Sequence, residues 1–142
     1  MKLKIINKSK FPLPEYATKL SAGMDLRADI DSPVTIKPKT SNAFKTGIYI
    51  GLPEGLEAQV RGRSGLAFKY DIISHIGTID ADYRGEIHVK LFNLSDKDFV
   101  VNPGDRIAQL VVSKVEKIEW YEVSDLDETE RGTGGFGHTG KK

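Results

Sequence analysis

Short stretches rich in β-branched and aromatic residues recur along the chain, and turn residues separate them. In the clearest stretch, Ile87, Val89 and Leu91 alternate with His88 and Lys90, a period of two that predicts a strand with one apolar face. Proline and glycine at 52–55 and 102–105 mark turns between such stretches. The pattern predicts strands at residues 2–6, 34–36, 44–50, 57–60, 87–92, 99–101 and 107–112.

The hydrophobic pattern contains one candidate helix, at residues 64–70, where Ser64 is placed to cap the first turn. Many short strands and one short helix predict an all-β fold, a jelly-roll-like barrel or sandwich, over residues 1–123. From residue 124 the chain becomes rich in glycine and acids, which predicts a flexible C-terminal tail over 124–142. Such a tail is usually a solubilising extension, but Phe136 has no core to join, which favours a segment that closes over something.

Composition narrows the classes of partner. The 142 residues suit one domain, and 21 basic residues against 20 acidic ones give no bulk charge for a nucleic-acid or membrane surface. The chain has no cysteine, so disulfides and thiolate chemistry are excluded. The first residues lack the apolar region of a signal peptide, and no apolar run reaches the length of a membrane span. We therefore expect a cytoplasmic protein without a nucleic-acid or membrane partner.

The stretch GTIDADYRG at 77–85 holds the strongest candidate chemistry. Ile79 ends an apolar run, and an acid, Asp80, follows it directly, with Tyr83 and Arg84 close behind. An acid, a ring and a cation at the end of a strand suit a polar small-molecule site. The alternative, a hairpin corner with solvated charges, stays open from this stretch alone.

Three further stretches carry polar side chains in apolar surroundings. Arg63, Ser64 and Gly65 precede the predicted helix, as a phosphate cradle or as an ordinary capped helix start. Gln109 lies in a strand-like run and needs partners, either a bound water or neighbouring backbone. Asp25 is predicted to pair with Arg27 in a structural network, which we favour over catalysis. The histidines show no metal-ligand spacing, and no Ser-His-Asp arrangement or P-loop is present.

Five segments, taken together and in order, resemble the trimeric dUTP diphosphatase (dUTPase) family. They are AGMDLRA at 22–28, RSGLA at 63–67, GTIDADYRG at 77–85, GDRIAQL at 104–110 and RGTGGFGHTG at 131–140. Many members have proline where this chain has Gly62, a change that removes no functional group. The fold is shared with dCTP deaminases.

The resemblance implies a homotrimer with shared active sites that hydrolyses dUTP to dUMP and pyrophosphate with Mg²⁺. Water would attack the α-phosphorus in line, so that uracil is kept out of DNA and dUMP is supplied for dTMP synthesis. Asp80 would activate the water, and Gln109 would help to hold it. The other implied substrate-binding residues are Arg63, Ser64, Gly65, Ser74, Gly77, Thr78, Ile79, Tyr83, His88, Arg131, Phe136 and Gly137.

The implied roles divide the substrate into parts. Arg63, Ser64 and Gly65 would bind phosphate oxygens, and Arg131 would clamp the γ-phosphate. Tyr83 would pack against the deoxyribose and Phe136 against uracil, while a hairpin at 74–79 would read the edge of the base, with His88 nearby. No direct metal ligand is implied, because the triphosphate and water would hold most of the Mg²⁺, with Asp25 in support through water.

Two other functions are weighed against this one. A dCTP deaminase-like enzyme shares the fold, but the pairing of Asp80 with Tyr83 and the glycine-rich tail favour the hydrolase. A non-catalytic regulatory protein of the same fold would be expected to lack Asp80, Arg131 or Phe136, and all three are present.

Overall fold

The computed structural model describes residues 1–135, which fold mainly into strands. Within this range the elements are β1 (Lys4–Asn7), β2 (Met24–Arg27), β3 (Val34–Ile36), β4 (Ser41–Lys45), β5 (Ile48–Gly51), β6 (Leu56–Arg61), α1 (Ser64–Tyr70), β7 (Ile72–Ser74), β8 (Gly77–Ile79), β9 (His88–Asn93), β10 (Phe99–Val101) and β11 (Arg106–Lys114).

The strands form four sheets in the described part of the chain, and their pairings are antiparallel. The largest has the order β2-β11-β6-β8, and a three-stranded sheet has the order β4-β9-β7. Two smaller sheets pair β1 with β5 and β10 with β3. Most neighbours are distant in sequence, so the fold depends on long-range pairing.

One apolar core lies beneath these sheets. The alternation predicted at 87–92 is confirmed, because Ile87, Val89 and Leu91 are at most 2% exposed. They belong to the same cluster as Leu26 from β2 and Leu110 from β11. The inward faces of strands from different sheets therefore share one interior.

The single strand expected at 44–50 is wrong, because the chain breaks into β4 and β5 at Thr46 and Gly47. Gly47 has φ of +67°, and a Cβ there would lie 2.5 Å from the backbone nitrogen of Ser9. The buried Thr46 hydroxyl donates to the carbonyl of Ile87 at 2.6 Å. Only glycine fits this turn without strain or a clash.

The predicted helix is confirmed as α1, but Ser64 is not its cap. Arg63 occupies the N-cap position, with an extended backbone and no capping bond from its side chain. The helix ends at Asp71, whose φ of 55° is left-handed and whose N–H bonds to the carbonyl of Ala67. Ser64 is thus the first helical residue and remains exposed.

Beyond β11, residues 115–135 form no helix or strand. Several large apolar side chains there are exposed, among them Ile118 at 67%, Trp120 at 87% and Tyr121 at 89%. No helix in the described residues is long and apolar enough to cross a membrane. The predicted division of the chain at residue 124 stays a prediction.

Candidate functional site

Sheet register places three polar residues side by side on the four-stranded sheet. Gln109 in β11 lies opposite Asp25 in β2 and also opposite Arg61 in β6. Directly opposite residues in an antiparallel sheet project from the same face. The acid, the amide and the guanidinium therefore share one surface, near the point where α1 begins.

Asp25 is held between two arginines. Its Oδ1 lies 3.3 Å from Arg63 Nε, and its Oδ2 accepts a bond of 3.2 Å from Arg106 Nη1. The predicted pair of Asp25 with Arg27 is wrong, because Arg27 Nη1 donates to the carbonyl of Gly104 at 2.9 Å. An irregularity in register between Arg106 and Ala108 accompanies the approach of Arg106 to Asp25.

The Asp25 carboxylate keeps one unused acceptor. Its side chain is only 18% exposed, and Oδ1 is a buried oxygen without a hydrogen-bond partner in the described structure. An unpaired buried acceptor is unfavourable unless something donates to it. A water molecule, including one bound to a cation, would supply such a donor.

Arg63 orders the start of α1. Besides its contact with Asp25, its Nη1 donates to the carbonyl of Arg106 at 2.8 Å. Ser64 and Gly65 follow at the exposed helix start, where the first amides have no carbonyl partner within the helix. Arg63 thus makes one hydrogen bond and one charge contact within the fold, and the exposed hydroxyl of Ser64 and the first helical amides can bind an anion.

The side chain of Gln109 packs against Gly23, and the absence of a side chain at Gly23 leaves space for it. A Cβ at position 23 would lie 3.2 Å from the Cβ of Gln109 and 3.4 Å from its Cδ. Any larger residue at Gly23 would therefore push the amide aside. This explains why a glycine precedes Asp25 so closely in the motif at 22–28.

Asp80 lies at the other end of the sheet, directly after β8. A turn bonds the N–H of Tyr83 to the carbonyl of Asp80 at 3.1 Å, and Arg84 Nη1 donates to the carbonyls of Ala81 and Tyr83. Asp80 is exposed and borders a cleft of about 650 Å³ that Asp82 and Arg84 also line. The backbone bond of this turn fixes Asp80 and Tyr83 at its two ends.

The hairpin expected at 74–79 is wrong. β7 pairs with β9 and β8 with β6, so the segment crosses from one sheet to another. The two residues between Ser74 and Gly77 therefore link strands of different sheets and do not form the loop of a hairpin. The crossing leaves its His75 and Ile76 exposed, which suits a segment that contacts a ligand.

The predicted base-reading residues have distinct surroundings. Ser74 Oγ is buried without a hydrogen-bond partner in the described structure, and a Cβ at Gly62 would lie 3.3 Å from it. Gly77 and Ile79 lie opposite Val60 and Ala58, while Thr78 is exposed and opposite Gln59.

His88 contacts the backbone at the end of the turn that follows Asp80. Its Nδ1 lies 3.1 Å from the carbonyl of Glu86. Arg131 makes a local contact, since its Nε donates to the carbonyl of Gly134 at 2.8 Å. Phe136 and Gly137 lie outside the described residues.

Sequence reasoning missed a row of polar side chains along β6. Gln59 Nε2 donates to Glu57 Oε1 at 2.6 Å, and Arg61 Nε donates to Gln59 Oε1 at 3.0 Å. The alternation of Glu57, Gln59 and Arg61 with buried Ala58 and Val60 was the available signal. The row runs between the end of the sheet near Asp80 and the end near Gln109.

Register separates Gln109 from Asp80 within one chain. Asp80 follows Ile79, which lies opposite Ala58, whereas Gln109 lies opposite Arg61. Four residues along β6 and two strand spacings amount to roughly 16 Å. One water molecule cannot contact both side chains of the same chain at that distance.

The described residues contain no group of three or more histidine, cysteine or acidic side chains that could hold a metal ion. Asp25 can act only through a hydrogen bond to a metal-bound water while its oxygens face Arg63 and Arg106. This donor set fits a magnesium ion that brings most of its own oxygen ligands.

Comparison with known proteins identifies the class. A sequence model described as dUTPase matches residues 9–140. The chain belongs to the dUTPase family. The resemblance inferred from the five motifs and the all-β fold class are thereby confirmed.

Individual relatives agree over the full length. The deoxyuridine 5'-triphosphate nucleotidohydrolase of Finegoldia magna is 54% identical over 142 residues, covering 99% of each chain. The enzyme of the same name from Rickettsia felis is also 54% identical over 142 residues, covering 99% of this chain and 96% of its own. A variant of the Staphylococcus bacteriophage 80alpha dUTPase, solved with dUpNHpp, is 26% identical with a TM-score of 0.85, covering 98% of each chain. These matches do not favour the deaminase or the non-catalytic alternative.

Proposed function

We propose that this chain hydrolyses dUTP to dUMP and pyrophosphate by attack of water on the α-phosphorus. Hydrolysis of dUTP is the activity predicted from the motifs, and membership of the dUTPase family confirms it. The observation that carries the proposal is the turn from Asp80 to Tyr83 at the end of β8, which presents an exposed carboxylate and, three residues later, an exposed ring. The roles of single residues below are proposals.

Asp80 is proposed to accept a proton from the attacking water. The water oxygen bonds to the α-phosphorus, and the bond from that phosphorus to the oxygen bridging the β-phosphate breaks, releasing pyrophosphate. Gln109 holds the same water through its amide. Because Asp80 and Gln109 of one chain lie roughly 16 Å apart by strand geometry, we assign them to different chains of the assembly.

The substrate is proposed to lie between these two ends. Arg63, Ser64 and Gly65 bind phosphate oxygens with the exposed donors at the start of α1. Ser74, Gly77, Thr78 and Ile79 read uracil with their backbone groups. Cytosine presents the reverse order of donors and acceptors, so it leaves buried groups unpaired and is rejected.

Sugar and magnesium contacts complete the proposed site. Tyr83 packs on the deoxyribose and leaves no room for a 2′-hydroxyl, with His88 beside it at the carbonyl of Glu86. Mg²⁺ held by the triphosphate would neutralise part of its charge. Oδ1 of Asp25, which has no hydrogen-bond partner in the described structure, would accept a hydrogen bond from a water of that ion.

We propose a homotrimer with three shared sites in the cytoplasm. Exposed apolar side chains after β11, such as Trp120 and Tyr121, support contact with other copies of the chain. Closed cyclic symmetry uses head-to-tail contacts, which join the Asp80 end of one chain to the Gln109 end of the next. Localisation and the absence of nucleic-acid or membrane partners stay predictions.

The direct test measures pyrophosphate release with dUTP, UTP and dCTP in the presence of Mg²⁺. We expect kcat/KM for dUTP to exceed that for each competitor by about 10⁴-fold, since the site is built to pair with the uracil edge and to exclude a 2′-hydroxyl. Equal rates with dCTP would contradict the proposed reading of the base. Release of ammonia from dCTP would support the deaminase instead.

The C-terminal segment from Arg131 is proposed to close over the bound triphosphate. Removal of residues 131–142 should lower kcat/KM for dUTP by about 10–100-fold, the effect of losing a charge-assisted bond to the γ-phosphate. Binding of dUMP, measured by calorimetry, should weaken less than binding of a non-hydrolysable dUTP analogue, because dUMP loses the contact of Phe136 with uracil but has no γ-phosphate to lose. Removal of residues 141–142 alone, which lie beyond the motif at 131–140, is the control, and it should preserve activity. Full activity in the longer truncation would exclude this role.

A further inference from the structure

Glu86, directly after the motif at 77–85, makes a bond that the proposed mechanism does not use. Its side chain is 14% exposed, and its Oε1 accepts a hydrogen bond of 2.8 Å from the backbone N–H of Gly47. The two residues are 39 positions apart in sequence. A nearly buried carboxylate is costly unless it is paired, so this long-range bond fixes where Glu86 lies.

The turn at Gly47, which supplies the N–H donor of that hydrogen bond, is held rigidly. Gly47 is buried, and a Cβ at its position would clash with Ser9. Its carbonyl accepts from the N–H of Lys8 at 2.8 Å, so both sides of Gly47 are bonded within the fold. The next residue, Ile48, accepts from the N–H of Ile87 at 2.8 Å. The carboxylate of Glu86 is therefore anchored to a point that cannot shift easily.

The backbone of Glu86 in turn holds Tyr83. The hydroxyl of Tyr83 donates to the carbonyl of Glu86 at 3.0 Å, and Nδ1 of His88 lies 3.1 Å from the same oxygen. The ring rests directly on Gly85, because a Cβ there would lie 2.2 Å from the Tyr83 hydroxyl. The position of this 44% exposed ring thus depends on where the carbonyl of Glu86 lies.

We propose that Glu86 is a positioning residue for selection of the sugar. Its carboxylate, bound to Gly47, fixes the carbonyl that orients Tyr83, and Tyr83 excludes nucleotides with a 2′-hydroxyl. This inference rests on the proposed function, in which Tyr83 packs on the deoxyribose. Glu86 itself touches neither the substrate nor the reacting atoms.

The test compares kcat/KM for dUTP and UTP in Glu86→Ala and Glu86→Gln. In Glu86→Ala the ratio of dUTP to UTP should fall about tenfold, which corresponds to about 1.4 kcal/mol of lost discrimination, while kcat for dUTP stays within about threefold. Glu86→Gln keeps an oxygen that can accept from Gly47, so it should restore the ratio to within about twofold. Tyr83→Phe should also lower the ratio, and adding Glu86→Ala to it should have little further effect.

Thr46→Val is the matched control, since it removes a buried hydrogen bond to Ile87 in the same turn without touching Glu86. It should lower the melting temperature and leave the ratio unchanged. If Thr46→Val lowers the ratio as much as Glu86→Ala, or if Glu86→Gln behaves like Glu86→Ala, the positioning role is wrong. Should Glu86→Ala not fold, Glu86→Asp, which withdraws the carboxylate by one methylene, gives the same comparison.

Failure of the proposed function and failure of the positioning role of Glu86 would give different results. If the proposed function is wrong, the unmodified protein releases no pyrophosphate from dUTP or does not prefer dUTP to UTP. If only the positioning role is wrong, the unmodified protein shows that preference and Glu86→Ala keeps all of it.

Discussion

Asp80→Asn should lower kcat for dUTP by about 10²–10⁴-fold, the usual contribution of a general base. The amide has nearly the same shape as the carboxylate but cannot accept a proton from water. Asp80 is exposed after β8, so the fold does not depend on its charge. Initial rates of pyrophosphate release, with binding of a non-hydrolysable dUTP analogue, would separate lost chemistry from lost binding.

Asp82→Asn is the matched control for this experiment. Asp82 is an exposed acid of the same turn and lines the same cleft as Asp80. It should retain activity within about threefold, since the proposed mechanism needs one base. If Asp82→Asn loses as much activity as Asp80→Asn, the base has been assigned to the wrong acid.

A mixture of two inactive variants should recover activity if the sites are shared. Asp80→Asn removes the base from one end of the sheet, and Gln109→Ala removes the water-holding amide from the other. In a mixed ring of three chains, one junction pairs an intact Asp80 with an intact Gln109. Random mixing at equal amounts therefore gives about a quarter of the wild-type sites.

The measurement is activity after the two proteins are unfolded and refolded together, compared with each refolded alone. A protein carrying both substitutions, mixed with Asp80→Asn, is the control and should stay inactive because no chain then supplies the base. If the co-refolded mixture is no more active than its components, the two residues act within one chain or the assembly is not a ring.

Local patterns predicted the strands well where one face is buried. The alternation at Ile87, Val89 and Leu91 has a direct physical cause, since side chains of a strand point alternately to the core and to solvent. The break at Gly47 had a weaker signal, a single glycine inside an apolar run. The turn at this glycine is fixed by contacts with Ser9 and Ile87. Because both residues are distant in sequence, the run was predicted as one strand.

The residues of the candidate site were recognised as motifs, but their arrangement was not. Asp25 meets Arg63 and Arg106, which lie 38 and 81 positions away, and no local pattern predicts such partners. The crossing of Ser74–Ile79 between sheets likewise depends on the register of other strands. Glu86 has no signal at all in the sequence, because the backbone N–H that it binds belongs to every non-proline residue.

The pairing of β2 with β11 sets an order of events during synthesis. Residues 24–27 pair with residues 106–110. The central sheet therefore cannot be completed until almost the whole domain has been translated. Until then β2 and β6 lack their shared neighbour and present unpaired edges to solvent or to chaperones. Ribosome-bound chains that end before residue 106 should therefore be far more sensitive to proteolysis than chains in which β11 has emerged.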